Sequence, residues 1–167
     1  TVEDCAVLNF SGDGIVTKQR GRAEVRNTRT QYNGGYGCNI QGPDCIVEHL
    51  ASGNNGKHSF YTSGASTPRL VNSEVWASEN DQDGYGAVCF DRVRECFIVG
   101  GDVNGPMIIT GAQGDPEDDF YGYWAKCLIT GVDIKWRGSN FTDSSDGTPF
   151  PVGGYIKVTG FRHVDVL

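Results

Sequence analysis

The sequence predicts an all-β solenoid, a fold in which short strands from successive coils of the chain stack on one another. A short strand-like segment carrying a small residue recurs along the chain, and a segment rich in glycine, asparagine or aspartate follows most copies. Glycine is abundant, at 24 of 167 residues, and prolines number only 6, a balance typical of many short strands and tight turns. This length favours a single domain over residues 1–167.

The recurring segment places a small or sulfur-containing residue two positions before an apolar or β-branched one. Its copies lie at residues 2–7, 25–30, 44–47, 70–75, 93–98, 126–129 and 164–166. The aligned column of the first position contains Cys5, Thr28, Cys45, Ser73, Cys96, Cys127 and Val164. Residues two positions apart share one face of a strand, so we expect these columns to stack as ladders inside the solenoid. The intervals along the column, 23, 17, 28, 23, 31 and 37 residues, correspond to about six to seven coils.

Segments rich in glycine, asparagine and aspartate are expected to form the corners between strands. They lie at residues 11–14, 33–37, 53–56, 81–86 and 101–105. Residues of these types adopt positive φ at little cost, which the chain needs where it turns sharply. We therefore expect these segments to supply positive φ at the corners.

This pattern resembles the right-handed parallel β-helix of the pectate-lyase-like superfamily, which includes phage tailspikes. The resemblance extends over nearly the whole chain and concerns the fold. A β-sandwich of short antiparallel strands is the alternative fold. Such a sandwich would not explain an in-register column of Cys, Ser and Thr.

The six cysteines could in principle form three disulfides. Four of them, Cys5, Cys45, Cys96 and Cys127, share the predicted inward column. We therefore expect buried, unbridged thiols that pack as small apolar side chains. Such thiols suit a protein that folds in a reducing cytosol, as viral structural proteins do.

The charge distribution excludes some partners. The formal net charge is −7, and the basic residues are scattered singly, whereas a nucleic acid or an anionic membrane would require a clustered basic face. No apolar run approaches the roughly 18 residues of a membrane span. Because the chain begins and ends inside strand-like patterns, we expect it to be a segment of a longer protein.

Carboxylates recur six residues after the first column. In the fourth to sixth coils this position is occupied by Glu79, Asp102 and Asp133. Adjacent strands lie about 4.8 Å apart, so neighbouring carboxylates would be about 5 Å apart and the outer pair about 10 Å. These separations bracket the geometries of retaining and inverting glycosidases, which makes the three residues candidates for catalysis. The alternative is that they are solvated turn residues of an acidic protein.

Aromatic residues beside acidic ones are typical of carbohydrate sites. Trp76, Tyr121, Tyr123, Trp124 and Trp136 are the candidate substrate-binding residues, and the acidic run 115–119 precedes the middle three. Packing in the core or at a subunit interface is the alternative for these rings. Residues 79–84 also have the alternating acids of a calcium loop, but Phe90 replaces the expected twelfth-position Glu. No metal or other cofactor is therefore predicted.

The resemblance implies a function without fixing it. The Gly-His-Gly element of polygalacturonases is absent, and the sequence is more similar to phage tailspike depolymerases, which are trimeric. This implies recognition of a bacterial surface polysaccharide by a homotrimer in the virion tail, or otherwise outside the cell. Whether the chain also cleaves the polymer is left open. The alternatives are a non-catalytic shaft or receptor-binding segment and a secreted polysaccharide lyase or hydrolase.

Overall fold

The computed structural model describes residues 1–18, 21–64, 67–77, 85–111, 126–135, 156–161 and 163–167. Within these ranges the chain is all β, and no helix is long and apolar enough to cross a bilayer. The strands are β1 (Val2–Glu3), β2 (Ala6–Leu8), β3 (Ile15–Lys18), β4 (Ala23–Gln31), β5 (Cys38–Gln41), β6 (Cys45–Gly53), β7 (Phe60–Ser63), β8 (Arg69–Trp76), β9 (Val88–Val93), β10 (Glu95–Asn104), β11 (Met107–Gly111), β12 (Lys126–Thr130), β13 (Asp133–Lys135), β14 (Ile156–Thr159) and β15 (His163–Val166).

The strands form two parallel sheets. The larger sheet has the order β1-β4-β6-β8-β10-β12-β15, with β2 paired to β4 and β13 paired to β10. The smaller sheet has the order β3-β5-β7-β9-β11-β14. From β3 to β11 the chain alternates between the two sheets, and every described strand pair is parallel. The all-β class and parallel stacking are therefore confirmed, the arrangement is compatible with a parallel β-helix, and the antiparallel sandwich is wrong.

The long strands of the larger sheet bend at one equivalent position. The residue there has positive φ in each successive strand or strand pair, and the column consists of Asp4, Asn27, His49, Asn72, Gly100 and Gly131. Asn, Asp and His are the non-glycine residues that most readily adopt this left-handed conformation. The bend separates each long strand into a segment before it and a segment after it. These two segments and the smaller sheet line the interior from three sides.

Apolar side chains from both sheets fill the interior. One column runs through Val25, Val47, Leu70, Ile98 and Ile129, all at most 2% exposed. From the smaller sheet, Phe60 and Phe90 pack with ring centroids 5.3 Å apart. The period-2 alternation that predicted the strands thus separates buried from solvated positions.

The predicted ladder combines two different columns. Cys96 pairs with Cys127 as expected, and Cys127 with Val164. Cys45, however, pairs with Ala23, whereas Ser73 pairs with Gly101. The recurring segment occurs both before and after the bend, at positions five residues apart, and in both places its small residue faces the interior. The sequence pattern therefore does not distinguish the two columns.

The observed register makes the first coils regular. One equivalent column runs through Val2, Val25, Val47, Leu70, Ile98, Ile129 and Val166. The intervals along it are 23, 22, 23, 28, 31 and 37 residues, by subtraction of those residue numbers. The predicted 17-residue interval therefore does not exist.

All six cysteines lie in the described residues, and none forms a disulfide. Five are buried and Cys5 is partly exposed, with its sulfur 3.8 Å from Thr28 Oγ1. Burial raises the pKa of Cys45 to about 12, and it also raises the pKa of Cys38. These two thiols are therefore protonated and shielded at neutral pH, and Cys5 is the most exposed of the six cysteines.

Thiol titration is expected to detect six groups in the denatured, unreduced protein, because all six cysteines are unbridged. In the native protein Cys5 should react first, and the buried thiols should react only as fast as the chain opens. A disulfide-exchange dye measures both. Fewer than six groups after denaturation would contradict the unbridged interior, and a Cys5→Ser variant identifies the fast-reacting thiol.

Candidate functional site

Three of the predicted site residues lie in the described part of the chain. Asp102 is in β10, Asp133 begins β13 and Trp76 ends β8. Glu79, Tyr121, Tyr123, Trp124 and Trp136 lie outside the described residues, as does the acidic segment 79–84. The site is therefore built here from β8, β10 and β13.

A row of three carboxylates crosses these strands. Asp102 is the register partner of Asp133 on one side and of Glu74 on the other. The pairing of Asp102 with Asp133 agrees with the sequence prediction. The residue level with them on β8 is Glu74, however, five positions before Glu79, because the predicted column counted from Ser73 on the wrong side of the bend. All three side chains point outward, and those of Asp102 and Asp133 are 47% and 60% exposed.

Lys135 offsets the negative charge of this row. Its ammonium group contacts the Asp133 carboxylate and lies 3.5 Å from Asp102 Oδ2. The hydrogen bond with Asp133, assisted by the nearby Asp102 charge, raises the pKa of Lys135. Lys135 therefore remains a cation between two anions. Sequence reasoning missed it, although the period-2 pattern of a strand places Lys135 on the same face as Asp133.

A second row lies beside the carboxylates. Asn104 is the register partner of Trp76 on one side and of Lys135 on the other. Both rows border an open cavity of about 170 Å³. We call this surface the carboxylate groove; it consists of Glu74, Trp76, Asp102, Asn104, Asp133 and Lys135. It combines an indole ring, an amide, a cation and three carboxylates on one face of a sheet.

Trp76 lies flat against the neighbouring strand. Its indole atoms occupy the place where a Cβ atom on Gly53 would lie, so the ring covers the backbone of β6. Glycine at position 53 is what permits this close approach. The ring is partly exposed and held in place from below, which gives the groove a fixed aromatic wall.

The two carboxylate oxygens of Asp102 have different surroundings in the groove. Its Oδ1 atom is shielded from bulk solvent and accepts no hydrogen bond from the described protein groups, while Oδ2 faces Lys135. A carboxylate oxygen accepts from hydroxyl and amide donors but cannot donate. No group of three or more His, Cys, Asp or Glu side chains in the described ranges has the arrangement of a metal site. The groove as a whole presents acceptors on Glu74, Asp102 and Asp133 and donors on Asn104 and Lys135.

Comparison of the chain with protein-family models, with curated proteins and with solved structures gave no match. The function must therefore be inferred from the chemistry of the carboxylate groove and of the surfaces around it.

Proposed function

We propose that this chain recognises a bacterial surface polysaccharide through the carboxylate groove. The observation that carries the proposal is the indole of Trp76, packed over Gly53 beside a row of acceptors and donors on the outer face of the sheet. The apolar face of a sugar ring packs on an aromatic ring, while its hydroxyl groups need hydrogen-bond partners of both kinds. Asp102 and Glu74 accept such bonds, Lys135 donates them, and Asn104 does both.

The same proposal includes the setting of the groove. We place residues 1–167 in a right-handed parallel β-helix of about six to seven coils, because connections between parallel strands are almost always right-handed. Homotrimeric assembly in a phage tailspike or tail fibre, at the tail of the virion, is part of this proposal. The unbridged cysteines support it, since they suit folding in a reducing cytosol.

Cleavage of the polymer is a second candidate. The register pairing of Asp102 with Asp133 favours it, because adjacent strands lie about 4.8 Å apart and retaining glycosidases hold their two carboxyl groups about 5 Å apart. Against it, a glycosidase gives opposite roles to its two carboxyl groups, whereas Lys135 forms an ion pair with both Asp102 and Asp133. Glu79, which the sequence predicted as the third member of this set, lies outside the described residues, and Glu74 takes the corresponding level on β8. Recognition without cleavage is the better-supported function.

The test uses purified capsular polysaccharides and lipopolysaccharides immobilised as a panel, with binding measured by interferometry. The Trp76→Ala variant is expected to bind at least tenfold more weakly, because it loses the aromatic wall, a difference of about 1.4 kcal/mol. Asp165→Asn and Lys126→Ala, which change exposed charges outside the groove, are the controls and should bind normally. Equal binding by wild type and Trp76→Ala would exclude the groove, and no binding to any polymer would favour a structural shaft.

Release of oligosaccharides from the same polymers separates the two candidates. If the chain cleaves, Asp102→Asn should abolish release while binding persists, since asparagine keeps the shape and one acceptor oxygen of aspartate. Absence of release from every polymer that is bound would leave recognition as the function. Unchanged release by Asp102→Asn would place the catalytic residues elsewhere.

A further inference from the structure

Aromatic side chains from three connections and one strand gather at a single corner of the fold. Tyr36 lies in the connection from β4 to β5, Lys57 and His58 in that from β6 to β7, and Tyr85 in that from β8 to β9, while Tyr61 points outward from β7. We call these five residues the tyrosine cluster. None of them is among the predicted site residues, and the carboxylate groove does not include them.

The rings are arranged in a fixed geometry. Tyr36 and Tyr61 stack with centroids 4.5 Å apart and planes 21° apart. The rings of Tyr85 and His58 are nearly perpendicular, with centroids 5.2 Å apart and planes 88° apart. The three tyrosines are partly exposed and His58 is buried, so the histidine ring forms the floor of the cluster. The cluster therefore exposes aromatic ring surface to solvent.

Hydrogen bonds hold this surface in position. The Gly86 N–H donates to His58 Nδ1 at 2.9 Å. Asp13 accepts from the backbone N–H of Tyr36 at 2.9 Å and, through its other oxygen, from Asn39 Nδ2 at 2.8 Å. Partial burial raises the pKa of Tyr36 to about 12, and burial also raises that of Tyr61, so both phenols remain protonated donors at neutral pH. The cluster is therefore preorganised, which lowers the entropy cost of binding.

Lys57 gives the cluster a positive charge. Its Nζ lies 5.1 Å from the centroid of the Tyr36 ring and 6.0 Å from that of Tyr85. None of the ion pairs among the described residues involves Lys57. Among the described acids, Asp13 accepts from the Tyr36 N–H and from Asn39, and Asp91 accepts from the Tyr61 hydroxyl at 3.3 Å and pairs with Arg92. Lys57 is the positively charged member of the cluster.

We propose that the tyrosine cluster is a second carbohydrate-binding surface, and that it takes an acidic sugar unit. The sugar ring packs on the exposed tyrosine rings, and its carboxylate pairs with Lys57. In a chain of net charge −7, a local cation is needed to hold an anionic polymer.

One partly buried contact links the connection that carries His58 to the end of β8. Ser59, which directly follows His58, donates from Oγ to the backbone carbonyl of Trp76 at 2.6 Å. The inference rests on the proposed function for the polymer class, while its residues are separate from those of the groove.

The test uses an array of purified bacterial capsular polysaccharides, in which each acidic polymer is also present in carboxyl-reduced form. The chain is expected to bind an acidic polymer, and carboxyl reduction or Lys57→Met should each weaken binding about tenfold. Tyr61→Ala should weaken it at least as much. Tyr32→Ala, which removes a tyrosine 57% exposed outside the cluster, and Lys18→Met are matched controls and should bind normally.

Three outcomes overturn the inference: no binding to the array, equal binding to acidic and reduced polymers, or normal binding by Tyr61→Ala and Lys57→Met. Thermal unfolding is measured for each variant, and Lys57→Met decides the matter if Tyr61→Ala does not fold. Failures of the two proposals are distinguishable with Trp76→Ala. If only Trp76→Ala loses binding, the groove binds the polymer and the cluster does not. If only Tyr61→Ala and Lys57→Met lose binding, the cluster binds the polymer and the groove does not.

Discussion

Replacing Asn55 with alanine is expected to reduce the free energy of unfolding by about 4 kcal/mol. Asn55 is 1% exposed, and its Oδ1 accepts from both the backbone N–H and the side-chain Nδ2 of Asn33, at 3.1 and 3.0 Å. Its Nδ2 donates to the Thr30 carbonyl at 3.3 Å. Alanine removes every one of these bonds and leaves buried groups on the neighbouring strand unsatisfied. Each such group costs about 1–3 kcal/mol.

Urea unfolding of the wild type, both single variants and the double variant measures this network. Asn33→Ala removes the other half of the contact, including the bond from the Phe10 N–H to Asn33 Oδ1. Because the two asparagines share hydrogen bonds, the double variant should lose less stability than the sum of the single variants. A loss below about 1 kcal/mol for Asn55→Ala, or strict additivity, would contradict a shared buried network.

These asparagines also show what the sequence could not specify. The glycine- and asparagine-rich segments were expected to turn the chain through positive φ. Asn54 does so, and so do Gly101 and Gly105 of the segment 101–105, although Gly101 lies within β10. Asn33 and Asn55 act through their side chains and have no positive φ. The systematic positive φ lies in the middle of the larger sheet's strands, at residues such as His49, where the local sequence has no turn signal. A ladder of hydrogen bonds depends on which strands stack, and stacking is a property of the whole fold.

The register explains which parts of the candidate site were predictable. Asp102 and Asp133 each lie six residues after Cys96 and Cys127, which are true partners, so their pairing was predicted correctly. On β8, however, the six-residue count that gave Glu79 started from Ser73, which lies after the bend. Pro68, whose carbonyl accepts from the N–H of Phe97, precedes β8 and is the equivalent of Cys96. Six residues after Pro68 is Glu74.

The tyrosine cluster was missed for a related reason. Tyr36 and Tyr85 lie in Gly-Tyr-Gly segments that read as turns, and Tyr61 is a single aromatic residue in a strand. No pair of the three is close in sequence. Their rings meet only because the connections stack in register, so the periodicity that predicts each strand carries no sign of the cluster.

Alanine at Gly101 is expected to reduce the free energy of unfolding by about 3 kcal/mol or more. Gly101 has a φ of +98°, which side chains rarely adopt, and it follows Gly100 at the bend of β10. A Cβ atom there would collide with the backbone oxygen of Ser73 and lie 2.6 Å from its nitrogen. Ser73 is the register partner of Gly101, so relief of the collision would separate β8 from β10.

Gly12→Ala is the matched control, because a Cβ at Gly12 would meet nothing within 4 Å and no positive φ is required there. We expect it to change stability by no more than about 0.5 kcal/mol. Chemical denaturation of the two variants measures the difference. Asp102 directly follows Gly101, so separation of the strands should also weaken polysaccharide binding by the groove. Equal stability of the two alanine variants would show that the bend tolerates a side chain. In that case, something other than the close packing of β8 on β10 would position Asp102 beside Glu74.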